Sequence, residues 1–263
     1  MNLQKIRVVV TGAAGQMGRT VVGAVSTADD MELVGVVDPR FASAVAHPEA
    51  TGANGAVSSF EALENALDAV EADVVVDFSL AEGARHNIAV ALERGVSPVV
   101  GTTGLTREDL ERFRAEAEAR RVPAFVAPNF ALGAVLMMVL SQQAARYFPD
   151  AEIIEMHHEN KKDAPSGTAK RTADLIAEVW REAGVKGADA PADAAQAANA
   201  IPTHSVRLPG IVADQQVIFG ALGQTLTIEH RTTSRESFMP GVLLAVRKVR
   251  SLQGLVVGLE NIL

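Results

Sequence analysis

The chain has 263 residues, no cysteine and a net charge of −8, with 48% hydrophobic and 21% charged residues. That balance is the composition of a folded protein of one large or two smaller domains, and the missing thiols exclude disulfides, cysteine nucleophiles and cysteine–zinc sites. The acidic balance, without a basic run or an aromatic-interleaved patch, argues against nucleic acid and anionic membranes as partners. The longest apolar run, Ala134 to Leu140, is too short to span a bilayer. The N-terminus has no signal-peptide pattern, so a cytoplasmic location is expected.

Ile6-Arg7-Val8-Val9-Val10-Thr11 is β-branched and almost continuously apolar, the pattern of a strand buried on both faces. It runs directly into Gly12-Ala13-Ala14-Gly15-Gln16-Met17-Gly18, after which Arg19 to Ser26 reads as helix. Glu32 to Val37 is a second strand, and Asp38 stands at its end, 20 residues after Gly18. Strand, glycine turn, helix, strand and acid in this order are the context of dinucleotide binding: the glycines let the backbone approach a pyrophosphate, and the helix N-terminus faces it. Ala14 stands where the commonest fingerprint has its middle glycine, so the turn alone is equally a structural connection; its register with Asp38 favours the nucleotide. Asp38 is placed to accept hydrogen bonds from an adenosine ribose. Arg40, beyond Pro39, can tolerate a 2′-phosphate, so NADH is expected to serve at least as well as NADPH.

Residues 41 to 58, with Pro48, Gly52, Asn54 and Gly55, read as loop, and Phe60 to Ala69 as helix. Asp73 to Ser79 is a third buried strand, Ala81 to Arg94 a helix closed by Gly95, and Ser97 to Val100 a fourth strand. Thr106 caps a charged helix to Arg120, with Asp109 three residues on. Pro123 to Val126 is a fifth strand. This alternation predicts an α/β chain with a parallel doubly wound sheet. Gly101-Thr102-Thr103 and Ala127-Pro128-Asn129-Phe130 then lie at strand carboxyl ends beside the glycine turn. Each is an ordinary turn by itself, but together they are candidates for the nicotinamide end of a cofactor, with Phe130 able to pack on a ring.

Leu132 to Tyr147 is helical, with Met137 and Met138 as core. Ala151 to His157 is strand-like, and Thr168 to Ala183 is a helix with Ala169, Ala173, Ile176, Ala177 and Trp180 along one face. Gly184 to Asn199 is alanine-rich and reads as an exposed loop. Thr203 to Leu208, Asp214 to Phe219 and Gln224 to Thr232 are strand candidates, the last two joined by a hairpin turn at Gly220 to Gly223. Ser234 to Ser251 is helical but interrupted at Pro240-Gly241, and Leu255 to Leu263 can return to the first domain. The expected division is 1–130, completed by 240–263, and a second α+β domain over 131–239, with hinges near Phe130 and Pro240.

The densest chemistry lies between Glu155 and Thr168. His157, His158, Lys161 and Lys162 fall within six positions and lead through Asp163-Ala164-Pro165-Ser166-Gly167-Thr168 into a helix. Histidine and lysine deliver protons near neutral pH when their surroundings are tuned. A Ser-Gly-Thr helix start offers backbone N–H groups to an anion. The combination points to a site that protonates a substrate and holds its carboxylate or phosphate. The bland alternative is one buried and one surface histidine, solvated lysines and a capped turn. Gly167 is harder to dismiss, because glycine in a helix costs about 0.5–1 kcal/mol relative to alanine. Adjacent histidines on a strand point to opposite faces, so no metal site is expected.

This block resembles the signature of the 4-hydroxy-tetrahydrodipicolinate (dihydrodipicolinate) reductase family, Glu-x-His-His-x-x-Lys-x-Asp-Ala-Pro-Ser-Gly-Thr-Ala, and matches it at every fixed position through Ala169. The likeness extends to Gly12-x-x-Gly-x-Met-Gly18, Gly101-Thr-Thr-Gly104, Ala127-Pro-Asn-Phe130, Val206-Arg207-Leu208-Pro209-Gly210 and Ser234-Arg235-x-x-Phe238. Gln215-Gln216 and Gln224 depart from the His or Glu often found there, outside the central block. The resemblance implies a Rossmann-type cofactor domain, a substrate-binding and oligomerisation domain, NADH or NADPH as cofactor, a cyclic imine dicarboxylate as substrate, and a homotetramer. It implies that His157 is the proton donor/acceptor and Lys161 the proton donor. His158 would contact substrate, and Ser166, Gly167 and Thr168 would hold a carboxylate. Other readings are a different imine or oxo-acid reductase, or a non-catalytic dinucleotide sensor.

Overall fold

The structure, a computed structural model, describes residues 4–42, 51–52, 55–185 and 201–263. The chain divides into two compact units, Met1–Phe130 with Phe238–Leu263, and Ala131–Ser237. The alanine-rich segment expected as a loop lies, from residue 186 on, outside the described residues, as do 43–50 and 53–54.

The chain begins with β1 (Ile6–Thr11), α1 (Gln16–Thr27), β2 (Met31–Val37), a 3-10 turn (Pro39–Ala42) and the two-residue strands β3 (Thr51–Gly52) and β4 (Gly55–Ala56). It continues with β5 (Ser58–Phe60), α2 (Leu63–Ala69), β6 (Val74–Asp77), α3 (Ala81–Glu93), β7 (Ser97–Val100), α4 (Arg107–Arg120) and β8 (Ala124–Val126). The second unit holds α5 (Leu132–Ala144), β9 (Asp150–His157), α6 (Gly167–Ala183), β10 (Thr203–Arg207), β11 (Ala213–Ala221) and β12 (Gln224–Thr232). The return to the first unit brings α7 (Met239–Val249) and β13 (Leu255–Val257).

In the first unit seven strands form one sheet in the order β13-β8-β7-β6-β1-β2-β5, and every pairing is parallel. Its centre is dry on both faces. Val8, Val9 and Val10 of β1 and Val74, Val75 and Val76 of β6 are all essentially inaccessible to solvent, which is why these strands read as unbroken apolar runs. α1 buries Gly18, Val21, Val22 and Val25, one stripe of helical period. α4 begins with the expected reciprocal cap between Thr106 and Asp109. The strand order reverses between β1 and β6, so the crevice beyond their carboxyl ends is the switch point where such sheets bind ligands.

Two expectations change. Ser58–Phe60 is not loop and helix start but the edge strand β5, paired with β2; the Phe60 ring lies over Gly35, where an added Cβ would sit 3.4 Å from it. Pro240 does not interrupt a helix but stands in the first turn of α7, where a missing N–H costs nothing. Next to it, an added Cβ at Gly241 would come within 2.1 Å of the Phe130 carbonyl oxygen. The chain therefore leaves this unit and re-enters it at one place, closed by backbone against backbone. β13 then pairs with β8 and completes the sheet.

In the second unit four strands are ordered β10-β9-β11-β12. β9 and β10 are parallel, with Glu155 opposite Ser205 and His157 opposite Arg207. β11 is antiparallel to both of its neighbours, and β11 turns into β12 at Leu222-Gly223, where Gly223 has φ +73°. α6 buries Ala169, Ala173, Ile176, Ala177 and Trp180, the face its sequence marks as apolar. The Trp180 indole N–H donates to the Phe148 carbonyl at 2.9 Å. Among the described residues, no helix is long and apolar enough to cross a membrane.

Candidate active site

In the first unit the glycine turn is shaped by contacts that leave no room for side chains. Gly12 has φ +70°, and a Cβ there would lie 2.7 Å from the Phe78 carbonyl oxygen. A Cβ on Gly18 would lie 2.0 Å from the Gly12 carbonyl oxygen, so the first turn of α1 rests directly on the turn before it. Gly15 donates its N–H to Gly12 O at 2.9 Å, and Ala13 donates to Val37 O at 3.1 Å. Ala13 and Ala14 are buried, and the Ala14 methyl is accommodated where the commoner pattern has a glycine. α1 has neither a side-chain cap nor an acid in its first turn, so its N-terminus, with Gln16 and Met17, presents the donors and positive dipole end that suit a phosphate.

Asp38 is almost wholly buried beside this turn. One oxygen accepts from the Arg40 N–H at 3.0 Å and Arg40 Nε at 2.8 Å; the other accepts from Ala14 N–H at 3.1 Å and Arg40 Nη2 at 2.9 Å. Burial would raise its pKa, but the Arg40 and Ala14 hydrogen bonds outweigh that and hold the carboxyl below the ordinary range. The Arg40 side chain is 63% exposed, and its Nη2 lies 4.0 Å from where a Gly15 Cβ would be. The acid and the arginine are thus one unit facing the turn.

The two strand-end loops stand on the same side of the sheet. Gly101 is held against the Phe78 ring, which occupies the space of a Cβ. Thr102 is buried and Thr103 exposed. Ala127 is buried with its N–H on Val100 O at 2.9 Å, Pro128 is exposed, and Asn129 is half-buried. Phe130 requires a correction. Its ring is 2% exposed and packs on Phe78 and Phe125 at centroid distances of 5.7 and 5.9 Å. It is core, and its ring is not free to pack on a ligand.

In the second unit the strand alternation puts Glu155 and His157 on one face of β9. Glu155 is fully buried, and its Oε2 lies 2.5 Å from His157 Nδ1. Burial pushes the Glu155 pKa up, but hydrogen bonds from Arg207, Ser205 and His157 more than offset this and keep the carboxyl below its usual range. An ionised carboxylate only accepts, so Nδ1 carries the hydrogen and Nε2 is the nitrogen left to exchange a proton. Burial holds the imidazole below the ordinary histidine value; Glu155 opposes this, while Lys161 and Arg207 add to it. The chain turns at once after the strand: Lys161 N–H donates to His158 O at 3.1 Å. His158 is half-buried beyond the strand end and Lys162 is exposed. Lys161 Nζ donates to both oxygens of Asp163, at 2.8 and 2.9 Å, and this ammonium draws the Asp163 carboxyl down.

Ser166 caps α6, its buried hydroxyl accepting from Ala169 N–H at 3.2 Å. Gly167 opens the helix with nothing within 4 Å of an added Cβ, so the space beside it is open. Thr168 follows, half-buried. No acid lies in this first turn. Among the described residues, no group of three or more His, Asp or Glu side chains gathers as a metal site.

Two structural participants were not singled out from the sequence. Asp77, at the end of β6, is fully buried and accepts from Thr11, Ser79, Asn87 and Thr102. Arg207 grips Glu155 from β10. Glu155 at least was legible, since it lies two residues before His157 on an alternating strand.

A parallel doubly wound sheet with a bare glycine turn, an acid at the end of β2 and a second unit carrying proton-donating groups defines the class of nicotinamide-dependent oxidoreductases. The family described as "Dihydrodipicolinate reductase, N-terminus" matches residues 6–130, and "Dihydrodipicolinate reductase, C-terminus" matches 133–263. The chain belongs to the dihydrodipicolinate reductase family. It is 50% identical over 265 residues to the 4-hydroxy-tetrahydrodipicolinate reductase of Moorella thermoacetica, covering 98% of each chain. It is 46% identical over 283 residues to that of Desulfitobacterium hafniense, covering 99% of this chain and 100% of the relative. Among solved structures, the dipicolinate-bound dihydrodipicolinate reductase from Paenisporosarcina sp. TG-14 is similar with a TM-score of 0.83 and 40% identity, covering 99% and 100%.

Proposed function

We propose that this chain reduces 4-hydroxy-tetrahydrodipicolinate to tetrahydrodipicolinate with NADH or NADPH, in the diaminopimelate route to lysine. The observation that carries this reading is the placing of His157 and Lys161 on the strand and turn just before the open N-terminus of α6. Family membership over the whole length supports it.

The glycine turn, where a Cβ at Gly12 or Gly18 would collide with backbone, fits a pyrophosphate laid against bare N–H groups. Residues Gly12 to Gly18, Asp38 and Arg40 are assigned to the adenosine and phosphate end, and Gly101 to Thr103 and Ala127 to Phe130 to the nicotinamide end. When bound, the dihydronicotinamide supplies a hydride to the substrate's conjugated imine. The protein must then quench negative charge developing at the ring nitrogen. His157 Nε2 delivers that proton, and Lys161 is the second donor and an attracting charge in an acidic protein. His158 contacts the substrate. Ser166 shapes the α6 start so that Gly167 and Thr168 hold one carboxylate. The first unit is thus the cofactor domain, and the second binds substrate and joins protomers. The relative solved with dipicolinate, a planar ring diacid, supports an anion site of this kind.

A homotetramer acting in the cytoplasm completes the reading. Self-association is supported by β12, a nine-residue edge strand, mostly exposed, that displays Leu226 at 38% accessibility. The activity test is NADH oxidation in a mixture of pyruvate, aspartate semialdehyde and the upstream synthase. Oxidation only when the synthase is present is expected. Oxidation with pyruvate alone would point to another oxo-acid reductase, and none at all to a dinucleotide sensor.

A further inference from the structure

Arg207 spends every one of its five N–H groups inside the second unit. Nε donates to Lys161 O at 3.2 Å; Nη1 donates to Glu155 Oε2 at 3.0 Å and Val206 O at 2.7 Å; Nη2 donates to Glu155 Oε1 at 2.8 Å and Asp163 O at 2.7 Å. The fork against Glu155 is bidentate, and Glu155 passes its second function on to His157 Nδ1. Two main-chain carbonyls on either side of Lys162 are held by the same guanidinium. The turn that carries Lys161 is therefore pinned to the strand that carries His157. Leu208 N–H adds a bond to His157 O at 3.0 Å just beyond.

We infer that Glu155 and Arg207 form a positioning pair that sets the tautomer of His157 and the place of Lys161 together, so that both proton donors are aimed by one buried ion pair. The inference rests on the proposed role of His157 and Lys161 in proton delivery. Neither member of the pair needs to touch substrate. Arg207 fixes the Glu155 carboxylate by its planar fork, and Glu155 fixes the imidazole by accepting from Nδ1. A lysine in place of Arg207 would have three donors and no plane, and could not span four acceptor groups in these directions. A glutamine in place of Glu155 offers one acceptor oxygen to two sets of donors. If Arg207 keeps that oxygen, His157 Nδ1 meets an amide N–H and must accept, which moves its hydrogen to Nε2. The charged groups acting on His157 are Glu155 on its own strand, Arg207 on β10 and Lys161 on the following turn, with Asp163 paired to Lys161.

The test uses full-length Glu155→Gln and Arg207→Lys, each compared with the unaltered protein by ¹⁵N-edited NMR of the His157 ring and by steady-state kinetics. The expected result is loss of the Nδ1–H tautomer in Glu155→Gln, its retention in Arg207→Lys with the Lys161 turn released, and in both a fall in kcat of about 10²-fold or more, the low end of general acid–base catalysis, while KM for NADH stays within about twofold. Some loss of melting midpoint is expected from altering one member of a buried pair, with the fall in kcat exceeding any change in KM for NADH. The pair is overturned if Glu155→Gln keeps the Nδ1–H tautomer, if Arg207→Lys keeps the parent kcat, or if all kinetic constants decay in step with the melting point, as a purely structural role requires. A changed tautomer with unchanged kcat would uphold the pair and overturn the catalytic role of His157 instead.

Discussion

Thr102, two residues past β7, donates its hydroxyl hydrogen to the carboxylate of Asp77, the last residue of β6, at 2.8 Å. Asp77 also takes Thr11 Oγ1 at the end of β1 and Asn87 Nδ2 from α3. One buried carboxylate thus joins the strand ends on both sides of the switch point and holds the Gly101–Thr103 loop in place. Thr102→Val keeps the shape and removes one donor, a change of about 1.5–3 kcal/mol for a hydrogen bond to a charged group. The loop then loses its anchor, and KM for NADH should rise about tenfold with kcat largely kept. Thr102→Ser retains the hydroxyl and should behave like the parent. Equal KM values in the valine and serine variants would show that the anchor is irrelevant to the cofactor.

Asp38 and Arg40 are the residues proposed to govern cofactor choice. All four acceptor directions of the Asp38 carboxylate are taken, three of them by Arg40 and one by Ala14 N–H. A ribose diol can bind the acid only where Arg40 yields, and a 2′-phosphate can instead draw the same guanidinium toward itself. Both cofactors are therefore expected to work, with NADH at least as good. Arg40→Ala should shift the kcat/KM ratio toward NADH by about tenfold, the worth of one exposed charge-assisted contact. Initial rates with each cofactor measure this, and a strong NADPH preference in the parent enzyme would falsify the assignment.

Much of this was written in local patterns, and what was not has a common cause. The buried strands, the glycine turn and the capping pair Thr106–Asp109 each depend on residues a few positions apart. The Glu155–Arg207 fork joins residues 52 positions apart, and no spacing rule reaches that far. Phe130 misleads because an aromatic residue at a strand end looks the same in sequence whether it faces a ligand or Phe78 and Phe125. Pro240 reads as a breaker only while the helix start is unknown; once α7 begins at Met239 it is an ordinary first-turn proline. Ser58–Phe60 is too short to show a period, and the neighbour β2 makes it a strand.

The proposed roles of His157 in proton delivery and Thr168 in substrate binding can be told apart by substitution. His157→Ala should lower kcat by about 10²-fold or more while NADH binding, followed by fluorescence titration, is unchanged. Thr168→Ala should chiefly raise KM for the dicarboxylate, because it alters the proposed α6 anion site and leaves His157 and Lys161 in place. Loss of NADH binding in the threonine variant would break the division of labour between the units.

Stability should fall on mild acidification before carboxylates titrate, and His230 identifies one cause. Its ring lies against Gly133 at the start of α5, with 2.4 Å to a Cβ built there, so no larger residue fits beneath it. Burial holds its pKa below the ordinary histidine value, with Asp214 opposing the shift; His157 is displaced in the same direction. Between their folded values and about 6.5, the unfolded chain binds more protons than the native one, so stability rises with pH there. The contribution is complete above about 6.5 and is lost as pH falls through that value toward the folded pKa. Asp38, Asp73 and Glu155 are displaced below their usual carboxylate values, so their losses come at lower pH still. Melting midpoints measured from pH 7.5 down to about 5.5 should decline, and His230→Gln should flatten that decline while leaving turnover near that of the parent. An unchanged slope in the glutamine variant would mean that His230 titrates alike in both states and that the acid sensitivity arises elsewhere.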